Sequence, residues 1–260
     1  MRFPILLLLL SFLFQNAAVA QEGSYLKQEF TKDGHTLPYR ILYPKNYTSK
    51  KKYPIVLLLH GAGERGNDNE LQLIHGADLF LNHQDDFPAI VIIPQCPKDN
   101  YWSSAQINRN TTPLTISFDY PKNEIRWPLD AALSLVKHIA KKESVDKKRI
   151  YVTGLSMGGM GTFEAIAREP KLFAAAIPIC GGGDTTSVSA YAKKIPVWIF
   201  HGAADGVVSV ELSRQMHAAL KSHGARVIYT EYPGVGHNSW SLAFAEPEYL
   251  PWLFGQKKGR

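Results

Sequence analysis

An apolar run at residues 149–153 leads without a linker into Gly154, Leu155, Ser156, Met157 and Gly158, and few folds accept that junction. The run reads as a buried strand, and residues 157–168, which stop short of Pro170, read as a helix. Strand and helix joined this closely require a sharp turn. Glycines on both sides of Ser156 remove the side chains that would collide there. The turn thrusts the serine hydroxyl into a cleft, which a serine needs if it is to act as a nucleophile.

The rest of the chain agrees with a layered body. Residues 26–30 and 37–43 are predicted to form a hairpin around Asp33 and Gly34, both strands lying at an edge because Pro38 lacks a ladder donor. Apolar strands at 55–59, 89–93, 149–153, 174–179, 196–200 and 227–232 then alternate with helices at 70–81, 128–142, 157–168, 210–222 and near the C-terminus. This pattern predicts an α/β fold with a mostly parallel, eight-stranded sheet and helices on both faces. Residues 21–260 contain no long Ser/Pro/Gly linker, repeat or low-complexity tract and are read as one domain.

An acid, a base and an anion-binding loop stand where acyl transfer needs them. The strand at 196–200 runs into His201, Gly202, Ala203, Ala204 and Asp205, making Asp205 the candidate acid. The strand at 227–232 is followed by Pro233, Gly234, Val235, Gly236 and His237, making His237 the candidate base. Upstream, the strand ending at Leu59 opens into His60, Gly61, Ala62, Gly63, Glu64, Arg65 and Gly66, whose glycines let backbone amides turn towards a ligand. The amides of Met157 and Ala62 are the expected oxyanion donors, with Gly61 or Gly63 as alternatives to Ala62. Losing one such donor costs about 3–4 kcal/mol of transition-state stabilisation. His60 and His201 each end a strand before a glycine and are read as ties for loop backbone. Ser156 and Asp205 could instead be helix caps and His237 a loop histidine, but the chain order Ser, Asp, His favours the catalytic reading.

The strings LLLHGAGERG, IIPQCP, YVTGLSMGG and GHNSW resemble those of α/β-hydrolases, across essentially the whole span 21–260. The resemblance is to feruloyl and acetyl-xylan esterases of carbohydrate esterase family 1, and to bacterial predicted peptidases related to prolyl oligopeptidase. It implies ester hydrolysis through an acyl-serine intermediate, with Ser156, Asp205 and His237 in the triad positions. The β-propeller of true prolyl oligopeptidases has no counterpart in this sequence, which places the peptidase second to the esterase. A broad-specificity carboxylesterase or phospholipase is the remaining alternative.

No cofactor or metal is expected, since ligand spacings such as C-x-x-C or H-E-x-x-H do not occur. The glycine turn carries a serine box in place of G-x-G-x-x-G, which disfavours a dinucleotide-binding enzyme. Residues 97–127 form a long loop with five aromatics. Trp102 within it, and Trp240 after His237, are the candidate substrate contacts. Stacking on sugar rings or on a phenolic acyl group would suit a carbohydrate-linked ester. Arg2, an apolar run at 3–14 and Ala18, Val19, Ala20 predict a signal peptide over residues 1–20, cleaved before Gln21, and hence a secreted or periplasmic protein without stable membrane insertion. The net charge of +6 is spread over short solvated runs, so nucleic acid is not an expected partner. Export permits a Cys96–Cys180 disulfide, but the expected sheet order keeps their strands apart. The oligomeric state is left open.

Overall fold

The computed structural model describes residues 24–259; the leader expected at residues 1–20 and its cleavage point lie outside them. The opening hairpin joins β1 (Leu26–Lys32) to β2 (His35–Leu42) through Asp33 and Gly34. Both turn residues have positive φ (49° and 79°), the conformation that matches a two-residue hairpin loop to strand twist. In chain order follow β3 (Tyr53–Leu59), α1 (Ala77–Asn82), β4 (Ile90–Pro94), β5 (Gln106–Asn108), β6 (Thr115–Ser117) and α2 (Trp127–Lys142). The second half comprises β7 (Val145–Leu155), α3 (Met157–Arg168), β8 (Ala175–Ile179), β9 (Val197–Gly202), α4 (Val210–Ser222), β10 (Val227–Tyr232), α5 (Trp240–Ala245) and α6 (Tyr249–Gly255).

Eight of these strands form one sheet in the order β1-β2-β4-β3-β7-β8-β9-β10. β2 is antiparallel to both neighbours, and every pair from β4 to β10 is parallel. This is the α/β-hydrolase fold. Because side chains alternate across a strand, each central strand feeds two cores. Ile55, Leu57 and Leu59 of β3, with Ile150 and Val152 of β7, pack with α2, α3 and α4. Val56 and Leu58, with Tyr151 and Leu155, pack with α1, α5 and α6 on the other face. Each such fully buried aliphatic side chain contributes about 1.5–3 kcal/mol. Among the described residues, no helix is long and apolar enough to cross a membrane.

Two local expectations are corrected. The helix expected at 70–81 is broken into a 3-10 turn, Leu71–Leu73, and α1. Gly76 between them is left-handed (φ 81°), and a Cβ there would stand 2.7 Å from the Phe244 ring. β2 is also not an edge strand. Its ladder to β4 ends at the Tyr39–Pro94 pair: at the next position Gln95 N donates to Pro38 O (2.8 Å), and the proline nitrogen has no hydrogen to return, so Pro38 closes the ladder rather than breaking it.

The loop at 97–127 is tied down from beneath by α3. Fully buried Glu164 accepts hydrogen bonds from Ser103 Oγ (2.9 Å), Ser104 N (2.7 Å) and Ser104 Oγ (2.9 Å), and pairs with Arg168 at 3.0 Å. Further along the loop, β5 and β6 form a small hairpin, and Leu114 N donates to Val207 O (2.9 Å). That bond brings the hairpin against the loop that follows β9.

Candidate active site

The turn between β7 and α3 holds Ser156 at φ 53°, ψ −113°. A side chain in so sparsely populated a region costs about 1–3 kcal/mol and persists only where its surroundings enforce it. Here the close approach of backbones enforces it. A Cβ on Gly158 would lie 2.0 Å from Leu59 O, one on Gly154 2.4 Å from Gly158 O, and one on Gly159 2.4 Å from Ile179 O. Ser156 N donates to Ile179 O at 2.9 Å, anchoring the turn to β8.

β9 and β10 deliver the other two candidates. Asp205 follows β9, and the loop after β10 folds back over that strand end so closely that a Cβ on Gly202 would meet Gly236 O at 2.3 Å. The fold thus brings the three residues together in one chain of hydrogen bonds. Ser156 Oγ is 2.9 Å from His237 Nε2, and His237 Nδ1 is 2.7 Å from Asp205 Oδ2. With a carboxylate at Nδ1, the imidazole carries its hydrogen there and turns the Nε2 lone pair to the serine hydroxyl.

Asp205 has a side chain with 0% exposure and is nonetheless an anion. Burial works against its charge, but hydrogen bonds from His201 and His237, together with the Val207 amide, outweigh it and hold the carboxyl well below the usual carboxylate range. Oδ1 accepts from the amides of Val207 (2.8 Å) and Val208 (2.9 Å). Oδ2 accepts from His237 and also from His201 Nε2 at 3.1 Å. That contact was missed in the sequence, where His201 reads only as a backbone tie. Its i,i+4 spacing to Asp205 is visible there, but its direction is set by Ser213 of α4, 2.7 Å from His201 Nδ1.

Met157 is the first residue of α3, and Ala62 the first of a 3-10 turn, Ala62–Glu64. The N–H at a helix's first position has no intrahelical acceptor, so both are free to meet a ligand oxygen. A cleft of about 310 Å³ lies over Ser156 and His237, lined by Gly61, Ala62, Gly63, Glu64, Tyr101, Arg109, Leu114, Leu155, Val207, Val208 and Trp240. Trp240 stands edge-on to His237, with ring centroids 5.4 Å apart. Trp102 must be withdrawn as a substrate contact. It is 0% exposed, its Nε1 donates to His60 O (3.1 Å), and its Cβ fills the space beside Gly161.

His60 ties backbone as expected, with Nδ1 2.6 Å from Gly61 O and Nε2 accepting from Cys96 N at 3.0 Å. Burial pushes its pKa down to about 4. A group whose folded pKa is depressed stabilises the fold above its unfolded value of about 6.5, and the contribution is lost as pH falls through the folded value. Stability should therefore decline between about pH 6.5 and pH 4 with a slope of about 1.4 kcal/mol per unit from this residue. Urea midpoints at pH 5 and pH 7 test this, and His60→Gln should lack that component of the slope. Cys96 and Cys180 are buried free thiols at the ends of β4 and β8, which are separated by β3 and β7.

Comparison with known proteins bears on the family and the fold. The phospholipase/carboxylesterase family model matches residues 46–246. A probable SOBER1-like carboxylesterase of Arabidopsis thaliana is 28% identical over 209 residues, covering 76% of this chain and 77% of its own. The crystal structure of a thermostable esterase superposes with a TM-score of 0.81 at 40% identity, over 90% of this chain and 63% of that one. This chain thus spans less than two thirds of that esterase's length. A ferulic acid esterase of carbohydrate esterase family 1 from Anaeromyces mucronatus shares the fold, with TM-score 0.62 and 15% identity over 89% of this chain and 91% of that one. With a match over most of its length, the chain belongs to the phospholipase/carboxylesterase family of α/β-hydrolases and is a serine hydrolase of carboxylesterase type.

Proposed function

We propose that the chain is an exported esterase that uses Ser156, His237 and Asp205 to release acyl groups from plant polysaccharides. The observation that carries the catalytic part is the unbroken hydrogen-bond chain, 2.9 Å from Ser156 Oγ to His237 and 2.7 Å from His237 to Asp205. His237 takes the Ser156 proton as Oγ attacks the ester carbonyl. Asp205 holds the imidazole in the required tautomer and stabilises the imidazolium that forms. The amides of Met157 and Ala62 receive the developing oxyanion. His237 then protonates the leaving alcohol, and water repeats the sequence on the acyl-enzyme to free the acid.

The substrate class rests on the cleft and on the motif resemblance. Tyr101, Leu114, Leu155, Val207, Val208 and Trp240 offer an apolar lining with aromatic faces, suited to a phenolic acyl group or to a sugar ring. Export rests on Arg2, the apolar run at 3–14 and the Ala18-Val19-Ala20 site. Initial rates on methyl ferulate, p-nitrophenyl acetate and a peptide p-nitroanilide test the reading together. Both esters should turn over, ferulate with the higher kcat/KM, and the anilide should be inert. Dominant anilide cleavage would replace the esterase with a peptidase, and acetate turnover without ferulate turnover would remove the phenolic acyl group.

A further inference from the structure

We infer that His201 is a positioning residue for the acid of the triad, holding Asp205 by the same oxygen that serves His237. The inference rests on the triad reading above. His201 Nε2 faces two acceptors, Asp205 Oδ2 at 3.1 Å and Val208 O at 3.0 Å, so this nitrogen carries a hydrogen. Nδ1 lies 2.7 Å from Ser213 Oγ, which also reaches Gly181 O at 3.1 Å, so the ring is held at both ends. His201 and the Asp205 side chain are both 0% exposed. A carboxylate offers about four lone-pair sites, and here four N–H groups take them: two amides on Oδ1 and two imidazoles on Oδ2.

A purely architectural histidine looks like His60, which bonds Gly61 O and Cys96 N and touches no acid. His201 instead shares its Nε2 hydrogen with Asp205. Two consequences follow. Asp205 cannot rotate away from His237, and the charge on Oδ2 is divided between two imidazoles. Removing the second donor concentrates that charge on His237, favours its imidazolium and postpones the free base to higher pH. The other titratable groups in reach are Cys180 at the end of β8, near Asp205, Glu231 on β10, near His201, and Glu64 and Arg109, which line the cleft with His237. None of them donates to Oδ2 in place of His201.

The test is kcat, KM and the pH profile of kcat/KM for His201→Asn, His201→Gln and Ser156→Ala on p-nitrophenyl acetate. The asparagine amide spans the Nδ1 position and keeps the Ser213 contact, whereas the glutamine amide reaches the Nε2 position. His201→Asn is expected to lower kcat about 10- to 100-fold at unchanged KM, short of the ~10⁴-fold seen when a triad acid is itself altered. Its acidic limb should move to higher pH. His201→Gln should recover most of the rate and the original limb. Wild-type behaviour in both variants, or equal losses in both with an unmoved limb, overturns the proposal. If His201→Asn does not fold, Ser213→Ala decides, because freeing the ring should move the limb in the same direction and an unmoved limb overturns the proposal. An active Ser156→Ala would instead sink the triad reading itself.

Discussion

Ser156→Ala is expected to lower ester turnover by about 10⁴- to 10⁶-fold and to leave the fold intact. The hydroxyl has one side-chain partner, His237 Nε2 at 2.9 Å, and that imidazole is still held by Asp205 at 2.7 Å after the substitution. No buried group is orphaned, because the His237 side chain is 20% exposed and its freed nitrogen faces the cleft. Alanine inherits the strained backbone at φ 53° but adds nothing to it. The thermal midpoint should therefore stay close to that of the parent, while the burst of acyl-enzyme with p-nitrophenyl acetate disappears. Residual turnover of about 10³- to 10⁴-fold over water should survive, supplied by binding and the oxyanion amides. A variant that keeps the parent rate would remove Ser156 from the chemistry.

The parts of this arrangement that depend on neighbours in the chain were legible before the fold was known. α3, α4 and β10 end where Pro170, Gly224 and Pro233 say they should, because local periodicity and punctuation agree there. The order Ser156, Asp205, His237 could be read because each follows an apolar strand, and parallel strands share one carboxyl edge. What escaped depends on distant partners. The break at Gly76 answers to Phe244 in α5. Trp102 reads as a stacking platform until its indole is found bonded to His60 O. Likewise His201 acquires a tie to the acid only because α4 sets Ser213 against its other nitrogen. Residue type and spacing locate side chains on elements, but which of two plausible partners a side chain meets is decided by packing.

Gly158→Ala should have the largest effect on stability. The added methyl would sit 2.0 Å from Leu59 O, 2.5 Å from Leu59 C and 2.8 Å from His60 O, all of it backbone that no rotamer change can clear. α3 would have to lift from the end of β3, although β3 and β7 form the centre of the sheet and α3 packs on both. Overpacking a core costs about 1–3 kcal/mol, and occasionally more where nothing can yield. A loss at or above the top of that range is expected, visible as a lower urea midpoint or as failure to recover soluble protein. Gly255→Ala supplies the contrast. It is the exposed last residue of α6, with nothing within 4 Å of the new methyl, so the change should leave stability within about 0.5 kcal/mol of the parent. If both variants unfolded like the parent, α3 would not approach the end of β3 closely enough to exclude a methyl. If Gly158→Ala folds but is weakened, its activity should fall further than its stability, since Ser156 and the Met157 amide ride on the first turn that the methyl displaces.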